Sequence, residues 1–88
     1  MDQTEKNILA DFFREHRQQI RMRLPHGSIK MIAGAIGVSN TVVDRALQAG
    51  WTPKHHADIC RRAMLIISAA ETDPDLIRAA SESVSITL

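Results

Sequence analysis

Residues 28–50 read SIKMIAGAIGVSNTVVDRALQAG, and this stretch decides the fold. Its spacing predicts a helix-turn-helix. Ser28 is placed to cap a first helix over about Ile29–Ile36, and Gly37 ends it. Ser39 is placed to cap a second helix over about Asn40–Ala49, which Gly50 stops. Two short helices with almost no linker must cross closely. Ala33 leaves room for that crossing on the inner face of the first helix. Gly37 stands where the chain turns sharply, at a position that favours φ > 0. Val38 and Val43 then point back between the helices, facing Ile32 and Ile36. Ala, Gly four residues on, and a β-branched apolar residue six further on meet the steric needs of a tight pair near a right angle.

These residues resemble a known family. Ala33, Gly37, Val38 and Val43 match the pattern of phage-type Cro/CI-like repressors. Gly50-Trp51-Thr52-Pro53-Lys54-His55-His56 looks like the segment that follows the recognition helix in small Cro/YdaS-like DNA-binding proteins. The resemblance spans residues 28 to about 60 and is moderately specific. One position departs from it: the residue three after Val43 is usually large and apolar in the family, and here it is Ala46. Leu47 or Trp51 is then expected to fill that space. The resemblance implies an all-α, lambda-repressor-like domain and a repressor function, on a mobile genetic element and regulating its own promoter.

Composition sets the outer bounds. With 88 residues, the chain predicts one small domain with a modest core. Its only aromatic residues are Phe12, Phe13 and Trp51, so the core must be aliphatic. Cys60 is the only cysteine, which rules out an intrachain disulfide and fits a reducing, cytoplasmic compartment (nucleoid-associated when bound to DNA). No apolar run approaches the ~20 residues of a membrane span, and the polar, acidic start does not read as a signal peptide.

Net charge is only +1, yet it is unevenly spread. Residues 1–13 sum to −2 and residues 63–88 to −3. Residues 14–62 sum to +6, from Arg14, Arg17, Arg21, Arg23, Lys30, Arg45, Lys54, Arg61 and Arg62 against Glu15, Asp44 and Asp58. The positive block surrounds the two-helix motif, as expected of a surface that meets phosphates. The competing reading is a set of solvated arginines on amphipathic helices.

In chain order, residues 4–23 predict an amphipathic helix. Ile8, Leu9, Phe12, Phe13 and Ile20 form one stripe that includes His16, and Arg14, Arg17, Arg21 and Arg23 lie on the other side. Arg21 and Arg23 are assigned to phosphate contacts, against pairing with acids such as Glu15. Pro25-His26-Gly27 ends this helix. The first motif helix starts with N–H groups that favour a phosphate, assisted by Ser28 and Lys30. On the second, Ser39, Asn40, Thr41, Asp44, Arg45 and Gln48 lie away from Val43 and are the expected base contacts in a major groove. Asp44 either accepts from a cytosine amino group or pairs with Arg45 or Arg61. Val42 either meets a thymine methyl or is partly buried. A plain polar helix face is the alternative for the whole set.

Thr52-Pro53 predicts the start of a fourth helix reaching Ala70, with Lys54, His55 and His56 expected on phosphates. The two histidines are adjacent on a helix, about 100° apart, and cannot easily share a metal ion, so no metal or cofactor is expected. Cys60 reads as a small buried apolar residue. Thr72-Asp73-Pro74 starts a last helix over about 74–83. The tail from Val84 to Leu88 alternates as a weak strand, with fraying as the alternative. Residues 64–88 are the candidate dimerisation region, through Leu65, Ile66, Leu76, Ile77, Val84 and Ile86.

No catalytic constellation and no Gly-rich phosphate loop appears, so an enzyme is not expected. The sequence predicts a sequence-specific double-stranded DNA-binding regulator. It should act as a homodimer on an operator of two half-sites, with no membrane partner and no small-molecule ligand evident. Two alternatives remain open: a protein–protein module such as an antiactivator or antitoxin, and an architectural, excisionase-like DNA binder.

Overall fold

In the computed structural model the described residues, 3–49 and 53–84, form five α-helices and no strand. They are α1 (Gln3–Arg23), α2 (Ser28–Ile36), α3 (Asn40–Ala49), α4 (His56–Ala70) and α5 (Pro74–Val84), with a 3₁₀ turn at Pro53–His55 before α4. The class is all-α. The boundaries follow the punctuation of the sequence to within a residue or two, except that Pro53–His55 winds as 3₁₀ before the α-helix proper. Among the described residues no helix is long and apolar enough to cross a membrane.

The core is aliphatic around two phenylalanines. Phe13, Ile20, Ile32, Val43, Ile59, Met64 and Ile67 are all fully buried. The largest helix contact is α1 on α4; α1 also meets α3 and α5, and α2 meets both α3 and α4. On α1, Leu9, Phe12, Phe13 and Ile20 face inward as the apolar stripe requires, while Ile8 at its edge is exposed. The helix is not continuous. His16 leaves helical geometry at φ −110° and ψ 17°. Its ring stacks on Phe12 at 4.3 Å, and its Nδ1 is 2.9 Å from Gln19 Oε1.

The α2–α3 link is made as its residues predict. Gly37 is left-handed, φ 76°, and its N–H and that of Val38 both reach the Ala33 carbonyl, at 2.9 and 3.0 Å. Ala33, Ile32 and Val43 are buried, with Ile36 and Val38 half-buried beside them. The Ser39 hydroxyl accepts from Val42 N–H at 3.4 Å, a long cap. Ala46 and Leu47 are both buried, so Leu47 supplies apolar volume beside the small residue. Trp51, the other expected filler, lies outside the described residues.

The start of α2 differs from expectation. Gly27, left-handed at φ 86°, stands at the N-cap position with no side-chain cap. Ser28 is the first helical residue, and its buried hydroxyl donates to the Pro25 carbonyl at 2.6 Å. Asp73 caps α5, accepting from Leu76 N–H at 3.1 Å. The same carboxylate pairs with Arg23 Nε at 3.3 Å, and Thr72 Oγ1 donates to the Arg23 carbonyl at 3.2 Å. These bonds tie the end of α1 to the α4–α5 turn.

Candidate nucleic-acid interface

Helix α3 buries Val43, Ala46 and Leu47. At about 100° per residue this turns Thr41, Arg45 and Gln48 to the opposite side as one stripe. All three are exposed, as are Ser39 and Asn40 at the start of the helix, while Asp44 is half-buried at its flank. Val42 is half-buried, the second of its two expected states. Of the six expected base-contacting residues, Thr41, Arg45 and Gln48 share one exposed stripe, Ser39 and Asn40 are exposed at the helix start, and Asp44 flanks the stripe.

Asp44 has a specific partner. Gln48 Nε2 lies 3.0 Å from each of its carboxylate oxygens. An ionised carboxylate only accepts, so the amide NH₂ must face it, which leaves the Gln48 carbonyl oxygen as the group offered outward. Arg61, one of the expected partners of Asp44, instead lines a cleft with Lys6, Ala35, Ile36, Asp58 and Arg62.

The expected phosphate contacts divide. Lys30, Arg21 and Lys54 are exposed, and His55 is half-buried. Two assignments are corrected. Ser28 is buried and its hydroxyl is committed to Pro25, so it cannot meet a phosphate. His56 is 1% exposed and packs its ring 5.1 Å from that of Phe13, because the first turn of α4 faces α1 rather than solvent. Arg23 is exposed and pairs with the largely buried Asp73, and two residues along a helix place it about 200° around the axis from Arg21. The two arginines point to different sides of α1.

The expected dimerisation set is also corrected. Leu76 is 2% exposed and belongs to the core, because α5 packs it inward onto α1 and α4. Leu65, Ile66 and Ile77 are half-buried. Leu65 and Ile66 line an apolar groove with Ile32, Ala35, Ala69 and Met31, and Met31 is 63% exposed. The side chain of Val84 and the whole of Ile86 lie outside the described residues.

Sequence reasoning did not foresee how α1 meets α3. Arg14, Glu15, Arg17, Gln18 and Arg21 form one wall of a groove of about 410 Å³, and Leu47 and Gln48 of α3 form the other. Helical spacing places Arg14, Arg17, Gln18 and Arg21 on one side, but nothing local says which helix they face. Arg17 stands over the Phe13 ring at 5.4 Å. Cys60 is buried, and desolvation pushes its thiol up to about 12, which keeps it protonated and unreactive. No family model, no curated protein and no solved structure matches this chain.

Proposed function

We propose that this protein is a sequence-specific double-stranded DNA-binding regulator of transcription, with α2 and α3 as a lambda-repressor-like helix-turn-helix and α3 as the recognition helix. The observation that carries the reading is the outward stripe of Thr41, Arg45 and Gln48, joined at the helix start by Ser39 and Asn40. Arg pairs bidentately with guanine, Asn and Gln with adenine, and Ser or Thr with several partners, so these residue types suit base edges in a major groove. With its NH₂ turned to Asp44, Gln48 presents an acceptor, which suits an amino donor on adenine or cytosine. Lys30, Lys54, His55 and Arg21 supply the sequence-independent phosphate contacts.

A palindromic operator needs two copies. The molecule measures 30 Å along its longest axis, and half-sites repeat at about 34 Å, so one copy cannot read both. The homodimer face is assigned to the apolar groove of α2 and α4, with Met31, Leu65 and Ile66 in place of the buried Leu76. Such a dimer acts as a Cro/CI-like autorepressor of a mobile genetic element in the cytoplasm. Alanine at Arg45 tests the reading: operator binding should weaken by about 1–3 kcal/mol with relaxed base preference. Unchanged binding would remove α3 from the interface.

A further inference from the structure

We propose that the groove between α1 and α3 is a backbone-phosphate site for one strand of the duplex that α3 reads. This rests on the DNA-binding reading above and extends its phosphate contacts along α1 from Arg21 to Arg17 and Arg14. Three arginines, Arg14, Arg17 and Arg21, line the groove against a single carboxylate, Glu15. Guanidinium forks match phosphate oxygens two at a time.

Each arginine is available to an anion. Among the described residues, neither Arg17 nor Arg21 has a carboxylate within ion-pair distance. The Nε of Arg17 is buried without a hydrogen-bond partner. Its charge is therefore already partly stripped of water, and the Phe13 ring holds the group in place. Arg14 pairs with Asp11, but both side chains are largely in solvent, where such a pair is weak and readily exchanged. Gln48 belongs to the outward stripe of α3 and also to the groove wall, so the site continues from the proposed base-reading face without a break.

The test uses the full chain and a labelled 30-base-pair duplex of mixed sequence, with anisotropy titrations at a series of NaCl concentrations. Phosphate contacts are blind to sequence, so no operator is needed. Each lost contact should flatten the slope of log Kobs against log[NaCl] by about 0.9 per bound protomer. The double variant R14Q/R17Q, at the two groove arginines that the reading above does not already use, should thus lose about 1.8 from its slope. The control R78Q removes a charge from the exposed side of α5 and should keep the wild-type slope. If circular dichroism shows the double variant unfolded, R14Q alone carries the test, with an expected loss of about 0.9. A variant slope equal to wild type, in a protein that binds the duplex, overturns the groove site and leaves the DNA reading standing. Failure of the wild-type protein to bind duplex even at the lowest salt overturns both.

Discussion

Gly37 and Gly34 give a test in which only backbone conformation differs. A β-carbon added at either position meets nothing within 4 Å, so crowding contributes to neither substitution. Gly34 lies inside α2, whereas Gly37 is left-handed at φ 76°. Alanine at 34 should gain the helix-propensity difference, about 0.8–1 kcal/mol. Alanine at 37 must adopt a left-handed backbone, which costs about 1–2 kcal/mol, partly offset by a less disordered unfolded chain. The net expectation for Gly37→Ala is a loss of about 1 kcal/mol, from strain alone. In a domain of this size 1 kcal/mol moves Tm by about 4–8 °C, so the two variants should separate by about 8–16 °C on opposite sides of wild type. Urea and thermal unfolding followed at 222 nm would measure this. A neutral or stabilising Gly37→Ala would refute the left-handed link between α2 and α3, and a destabilising Gly34→Ala would refute the interior helical position of residue 34.

Other outcomes follow from single features. Glu71 ends α4 in a left-handed conformation, φ 52°, without being glycine, so Glu71→Gly should raise stability by roughly 0.5–1 kcal/mol in urea titrations. Asp73→Ala removes both the α5 cap and the partner of Arg23 and should cost about 1–2 kcal/mol, whereas Asp73→Asn should keep most of the cap. The raised thiol of Cys60 makes alkaline stability fall. Above the thiol's ordinary value of 9.0 the unfolded chain ionises while the folded one does not, until about pH 12. The slope is at most about 1.4 kcal/mol per pH unit in that window. The chain has no Tyr to add to this effect, and Cys60→Ala should flatten the high-pH limb of a denaturation series.

The stretch 28–49 was legible because its punctuation is local; Gly50, the expected stop of α3, lies outside the described residues. Gly37 and Ser39 set the turn, and the apolar spacing set which face of α3 is buried, so the exposed stripe came with it. What was not legible is tertiary. His56 looked like a solvent-facing partner of Lys54 because both follow the same proline, but the first turn of α4 faces Phe13. Leu76 sits in an apolar pattern that serves equally for a dimer face or for the core, and only the docking of α5 decides between them. Ser28 carries a capping residue type one position too late, because Gly27 takes the left-handed conformation ahead of it. Arg21 and Arg23 share a charge and a neighbourhood in sequence, and the helix separates them. Helix ends are written in a few adjacent residues; which helix lies against which depends on contacts between residues far apart in the chain.

The most direct test of the account is a footprint of the purified protein on the DNA flanking its own gene, at near-physiological salt. Two protected half-sites with dyad symmetry, their centres about one helical turn or a multiple of it apart, are the predicted result. Diffuse, salt-sensitive protection without a repeated sequence, or no protection, would contradict it.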